Sequence, residues 1–458
     1  MKSLRLKFDK FIYSTNRKNG IKSFWVSCII ILISLLIALL ICVSIYNKPS
    51  LFSDIFYQIF TSPFKKSNLT QFFFPNMAIF MVAACSFVFA YKCGLFNIGI
   101  SGQMLFGAMI AVMIAHQWIG APNVIGQIII VLSAMLGAGL IAALIGWLKI
   151  QFNMNEVVSS IILNWIIYYA GTYMISATCP KDQGGTFTES LSDNYLLKIN
   201  GCGGATIPLM ILAIFVVIFC FVVFKYLVFG KKVINVGLSY EGSRFAGYSV
   251  KKNQILSMLI SGMIAGILGA MVYFGKAPGN IPTEVTAKAI PIEGFNGISV
   301  GLIAMNNPLG IVPVSLLFGM IETAKSDIAQ VCAVDSNITD LMFGIIVYGA
   351  AVVSLLYYVK PWQWIMKQVY KHKKIDYDEH AFNVENQINE YLDAISLIKK
   401  KCKNLKKGNK DTTWYYPNRI LSNLKINLKK IKSKDQKKKL LNRVYLNYSN
   451  KRLSKGEE

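Results

Sequence analysis

The sequence predicts an all-α membrane protein, a polytopic helical bundle of about ten transmembrane segments in two pseudo-repeated halves, followed by a basic helical C-terminal tail. Three observations carry this. Runs of near-unbroken hydrophobicity, the cleanest from Phe24 to Tyr46, match a hydrocarbon core of about 30 Å, which about 20 helical residues span. The chain of 458 residues is 54% hydrophobic and 16% charged, yet its formal net charge is +25. That charge is segregated: seven Lys/Arg and one acid between Lys2 and Lys22, and twenty-five Lys/Arg and ten acids between Lys360 and Glu458. Residues 1–23 therefore read as a cytoplasmic basic N-terminus, 24–359 as the transmembrane domain and 360–458 as a cytoplasmic basic tail.

Hydropathy places helices near 24–46, 72–91, 98–116, 123–149, 156–176, 207–229, 253–275, 293–305, 309–324 and 339–359, the eighth and ninth being short. With the N-terminus inside, Lys92, Lys149 and the cluster Lys225, Lys231, Lys232, Arg244, Lys251 and Lys252 fall in the cytoplasm. Asp182, Glu189, Asp193, Asp327 and Asp335 fall outside. This sorting follows the positive-inside rule without having been used to choose the spans. An even number of crossings returns the C-terminus to the cytoplasm, and the expected location is the cell membrane, multi-pass. The first run is too long for a signal-peptide core and lacks a small-residue cleavage site, so it reads as a retained anchor helix.

Segments 98–116 and 293–305 are Gly-rich and polar for lipid-facing helices and are expected to face the protein interior or a watery path, with a broken backbone. They also echo one another. Gly94-Leu95-Phe96-Asn97-Ile98-Gly99-Ile100-Ser101 resembles Gly294-Phe295-Asn296-Gly297-Ile298-Ser299, and paired Gly-interrupted segments at matching places in two halves point to a transport pathway. Nine cysteines are scattered without CxxC or a nearby His pair, which excludes an ordinary zinc or redox site. Cys179 and Cys202 share one loop, as two free thiols or as a disulfide. No GxxxxGK[ST], HExxH or nucleophile elbow occurs, so the chain is read as non-enzymatic, and its energy source as a separate polypeptide.

Three stretches point further: Gly94 to Gln103; Asn155-Glu156-Val157-Val158-Ser159-Ser160-Ile161-Ile162-Leu163-Asn164; and Gly237-Leu238-Ser239-Tyr240-Glu241-Gly242-Ser243-Arg244-Phe245-Ala246-Gly247. Together they resemble permease subunits of ABC importers of the simple-sugar and nucleoside type, in particular the bacterial nucleoside permeases that accompany a basic-membrane-protein lipoprotein. The resemblance runs from about Phe72 to Val359 and includes Leu256 to Met271 and Ile292 to Gly319. It departs in two places: Ser101 stands where these permeases usually have Glu, and the tail after Lys360 has no counterpart.

The resemblance implies an ATP-driven importer subunit forming a translocation path for nucleosides. Its partners would be an ABC ATPase that binds ATP and Mg, a second homologous permease and an external substrate-binding lipoprotein. It also implies that the cytoplasmic segment 230–252 couples to the ATPase, through Glu241, Gly242, Arg244, Ala246 and Gly247. The residues themselves are consistent with such a cargo. A nucleoside offers hydroxyls, donors and acceptors without strong charge, and Asn97, Gln103, Asn155, Ser159, Ser160, Asn164 and Asn296 present matching groups in or beside the spans. Such groups also bridge helices with no substrate involved. Glu293 and Glu156 should be paired or wet there, and Glu156 reads as a helix N-terminal group.

A pentose or hexose permease is the alternative cargo reading. An ATP-independent channel or a scaffold is the alternative class. In the tail, Val384, Ile388, Tyr391, Leu392, Ile395 and Ile398, and again Leu421, Leu424, Leu428 and Ile431, recur at helical spacing among lysines. Membrane lipids or a neighbouring subunit are favoured over nucleic acid as the tail's partner.

Overall fold

A computed structural model describes residues 35–65, 68–118, 123–182, 184–189, 191–198, 206–276, 281–283 and 290–332, and isolated helical residues at 341, 344, 345 and 348. The helices are α1 (Leu35–Tyr46), α2 (Ser50–Thr61), α3 (Phe74–Tyr91), α4 (Ile100–Gln117), α5 (Asn123–Phe152), α6 (Glu156–Thr178), α7 (Thr206–Tyr226), α8 (Val228–Leu238), α9 (Tyr240–Phe245), α10 (Val250–Met271), α11 (Ile292–Ile303) and α12 (Pro308–Val331). A π-helical turn, Leu69–Phe73, extends α3 at its start and another, Val272–Lys276, extends α10 at its end. No strand forms among the described residues. Of two isolated bridges, Lys181 with Thr188 closes the α6–α7 loop on itself and Phe187 with Pro282 joins that loop to segment 281–283.

Among the described residues, seven helices are long and apolar enough to cross a membrane: Leu69–Tyr91, Ile100–Gln117, Val124–Phe152, Glu156–Thr178, Thr206–Tyr226, Val250–Lys276 and Pro308–Val331. The central one is α3, buried on every face from Pro75 to Ala90, as a helix that is apolar all round must be. Against it α10 runs antiparallel, fixed by a reciprocal pair in which Ser86 Oγ donates to Ser261 O and Ser261 Oγ to Ser86 O, both at 2.8 Å. On other sides α11 runs parallel to α3, Gly297 lying on Ala83 and Gly301 on Phe87. Helix α12 is antiparallel, with Gly319 on Met77 and the Asn76 amide donating to Thr323 Oγ1 at 3.2 Å.

Small residues let these helices meet at their backbones, as membrane helices do when packing rather than hydrophobicity drives association. A Cβ added at Gly262 would fall on Ala142 and the Ala138 carbonyl, one at Gly266 on the Ala134 carbonyl, and one at Gly269 on the Met104 carbonyl, each inside 3.0 Å. Gly107 of α4 approaches the same Ala134 carbonyl from the other side. Exposed faces are apolar on α5 (Leu132, Leu136, Leu140) and α7 (Ile211, Ile214, Phe215, Ile218), as lipid requires.

Two expectations change. The segment expected to be short at 309–324 is a 24-residue helix, Pro308–Val331, because its late charges are satisfied. Asp327 accepts from Lys65 Nζ at 2.6 Å and Ser62 Oγ at 2.6 Å, and Lys325 lies 2.9 Å from Glu322. The segment expected at 207–229 stops at Tyr226, where Leu227 turns extended (φ −84°, ψ 143°) and α8 begins. Residues 1–34, 360–458 and Cys202, and almost all of 339–359, lie outside the described residues; Cys179 is a free thiol.

Candidate functional site

After Tyr91 the chain does not run straight on. Gly94 (φ +79°) reverses it, and Asn97 returns to the level of Ser261, hence of Ser86, before α4 starts at Ile100. Helix α4 thus begins inside the bundle, not at its edge. There its first turn meets that of α11: a Cβ on Gly294 would lie 2.6 Å from the Ser101 nitrogen. Two helix N-termini converge in the interior, and the Ser101 hydroxyl between them is fully buried without a hydrogen-bond partner.

Three of the residues read as path residues come together here. The Asn97 and Gln103 amides pair reciprocally, Asn97 Nδ2 donating to Gln103 Oε1 and Gln103 Nε2 to Asn97 Oδ1, both at 3.0 Å. Asn97 Nδ2 also donates to Ser261 Oγ (2.9 Å), and its Oδ1 accepts from Gly99 N (3.0 Å). Asn164 Oδ1 accepts from Gly102 N (3.1 Å), and its Nδ2 donates to Ile98 O (3.3 Å). All four hydrogen-bonding positions of the Asn97 amide are occupied within the chain, so it holds the break in shape. Asn97→Leu, which strands Gln103 and the Gly99 N–H, is expected to cost about 2–4 kcal/mol, read as a lowered unfolding temperature of the detergent-solubilised chain.

The remaining path residues are dispersed. Ser159 Oγ donates to the Asn155 carbonyl at 3.0 Å, a bond within its own helix. Ser160 is fully buried with its hydroxyl unpartnered. Asn296 is buried on α11, and Glu293 is half-buried, 4.0 Å from Lys276. Glu156 lies in the first turn of α6 and accepts from Lys149 Nζ at 2.7 Å, while Asn155 caps that helix by accepting from Val157 N at 2.9 Å. No group of three or more His, Cys, Asp or Glu able to hold a metal forms among the described residues.

At the end of the bundle that carries Lys92 and Lys149, α8 and α9 form a projecting unit. Ser239 caps α9, its Oγ accepting from Gly242 N at 3.1 Å, with Glu241 in the first turn and Arg244 in the last, each charge suited to the helix dipole. Gly247 (φ +79°) closes the helix, its N–H bonding Arg244 O while Tyr248 N bonds Ser243 O, a left-handed C-terminal cap. Glu241, Gly242, Arg244, Ala246 and Gly247 are all exposed.

Sequence reasoning missed the apolar tip. Phe245 is 88% exposed and Leu238 79%. It also missed the seat of this unit. A Cβ on Gly237 would fall on the Lys92 carbonyl and come within 3.0 Å of Gly94 N, so α8 rests directly on the reversal that leads into Asn97. Burial lowers the Lys92 amine from its ordinary value and pushes the Cys93 thiol up to about 11. The Gly94/Gly237 pair was legible only as two glycines in different motifs.

An α-helical bundle with seven candidate spans among the described residues, interior helix starts and a capped helix projecting from one end is the architecture of a multi-pass membrane protein. The family model for the permease component of the branched-chain amino acid transport system matches residues 70–351, and the chain belongs to this family. It is 34% identical over 417 residues to the uncharacterized protein MG120 of Mycoplasma genitalium, covering 88% of this chain and 78% of that protein. It is 30% identical over 318 residues to the guanosine ABC transporter permease protein NupP of Bacillus subtilis (69% and 88%). Its identity to the nucleoside ABC transporter permease protein NupB of Lactococcus lactis is also 30%, over 257 residues (54% and 70%). The chain is thus an ABC transporter permease.

Proposed function

We propose that this chain forms the translocation path for nucleosides in an ATP-driven importer, together with a second, similar permease, ATPase subunits that bind ATP and Mg, and an external substrate-binding lipoprotein. The observation that carries the substrate is the likeness to two nucleoside permeases. In this reading the end bearing α8 and α9 faces the cytoplasm, both termini lie there, and ten crossings complete the bundle in two pseudo-repeated halves. The reciprocal Ser86/Ser261 pair, in which each serine does to the other what the other does to it, supports a two-fold relation between α3 and α10. The alternating directions of α3, α10, α11 and α12 support the threading.

Within this path the roles divide by spare hydrogen-bonding capacity. Asn97, Gln103 and Asn164 hold the break and orient the start of α4. Ser160, Glu293 and Asn296 retain capacity for a hydroxylated, uncharged cargo. Closure of the ATPases is transmitted through residues 230–252 to Gly94 and from there to α4. In a reconstituted complex, Glu241→Ala with Arg244→Ala is expected to reduce labelled uridine uptake at least tenfold, with the chain still extracted intact. Wild-type uptake by that double variant removes the coupling role. Competition separates cargoes: other nucleosides displace uridine, whereas displacement by ribose alone favours a sugar permease.

A further inference from the structure

We propose that the exposed face of α6 is a wall of the conduit and not a lipid surface, and that Trp165, Tyr169 and Tyr173 form an aromatic strip on which the planar base of the cargo stacks. This deepens the nucleoside-permease reading and rests on it. Three helices of this chain expose faces of different character. Those of α5 and α7 are apolar along their middle, through residues such as Leu136, Ile214 and Phe215 and without a hydroxyl-bearing ring there, and carry an exposed Trp147 or Tyr226 toward one end. That is the usual arrangement for lipid, with amphipathic rings kept at the headgroup level.

Helix α6 breaks that pattern. Trp165, Tyr169 and Tyr173 are 48%, 53% and 77% exposed, and a spacing of four residues puts them on one stripe. In a helix running Glu156–Thr178, Tyr169 lies about 3 Å from the midpoint and Tyr173 about 9 Å. Both are well inside a hydrocarbon half-thickness of about 15 Å. Phenol hydroxyls presented to lipid tails at that depth have no hydrogen-bond partner, and an unpaired polar group there is costly.

The helix is not free to roll the stripe inward. Its opposite face is fixed to α4 by Gly102 N donating to Asn164 and by Gly171 seated on Met109. The strip is also preformed, the Trp165 and Tyr169 rings being stacked at 6.0 Å with 24° between planes. Polar-edged rings facing outward in mid-membrane suit a watery conduit carrying a molecule with an aromatic face. Stacking a base on an aromatic side chain is worth about five- to 150-fold in affinity.

The test uses the complete complex in proteoliposomes. Tyr169→Leu is expected to lower labelled guanosine uptake about tenfold or more while the second permease still co-purifies, and Tyr169→Phe, which keeps the ring, recovers most of that loss. A charged, membrane-impermeant methanethiosulfonate labels the Tyr169→Cys variant but not Leu136→Cys, and guanosine slows the labelling where ribose does not. Four results each overturn the strip: undiminished uptake by Tyr169→Leu, equal losses in the Leu and Phe variants, no labelling of Tyr169→Cys, or protection by ribose instead of guanosine. Loss of the second permease from purified Tyr169→Leu complex also overturns it, by making the stripe a packing seam. A wild-type complex that carries no nucleoside removes the function itself and the strip with it, so the two failures are distinguishable.

Discussion

Gly266→Leu is expected to leave no monodisperse protein after extraction from the membrane, and Gly266→Ala to lower the unfolding temperature well below that of the unaltered chain. The Ala134 carbonyl of α5 is approached by Gly266 of α10 on one side and Gly107 of α4 on the other, and a Cβ at either glycine falls inside 3.0 Å of it. The obstacle is backbone, so no side-chain rearrangement relieves the clash; α10 must move away. Its neighbours forbid that locally, because Gly262 and Gly269 are pinned on the same α10 against Ala142 and the Met104 carbonyl.

Overpacking of this kind costs about 1–3 kcal/mol for a methyl group, and a leucine side chain exceeds what a domain stable by about 5–15 kcal/mol tolerates. Leu136→Ala, on the exposed face of α5, is the control and is expected to change stability by no more than about 0.5 kcal/mol. Size-exclusion profiles and thermal unfolding in detergent read all three. A well-behaved Gly266→Leu protein would mean that the three-helix junction around Ala134 is wrongly placed.

Hydropathy made most helices legible because lipid imposes a length on any apolar run, and that constraint needs no knowledge of neighbours. It misjudged α12 for the complementary reason. Glu322, Lys325 and Asp327 look like the end of a span until Lys65, Ser62 and Asn68, some 260 residues away in sequence, are seen to satisfy Asp327. The amide residues near Gly94–Gln103 could be found from composition, but their roles could not. Asn97 and Asn296 occupy matching positions in two similar motifs, yet every position of the Asn97 amide is consumed by Gln103, Gly99 and Ser261. Motif similarity reports a shared backbone need; only geometry tells which side chain has bonds to spare. Phe245 escaped notice because one phenylalanine among 28 carries no sequence signal, and its meaning lies wholly in standing out on a six-residue helix.

That exposure leads to the second large effect: Phe245→Asp is expected to reduce substrate uptake to background while leaving the isolated chain as stable as before. Phe245 is 88% exposed, so its removal leaves no cavity in the chain itself. In a docked complex the same ring is the natural anchor. Burying a phenylalanine contributes about 1.5–3 kcal/mol, aromatic anchors at the centre of an interface reach about 2 kcal/mol or more when truncated, and a carboxylate in its place adds the cost of desolvating a charge. Because α8 sits on the Lys92–Gly94 reversal through Gly237, an undocked α9 also leaves that reversal without a mechanical input. Three readouts separate the cases. Lost uptake and lost co-purification of the ATPase, with an unchanged unfolding temperature, place Phe245 in the docking contact. Retained co-purification with lost uptake places it in transmission beyond docking. Wild-type uptake shows that the projecting helix bears no load, and removes the coupling role from the whole 230–252 segment together with it.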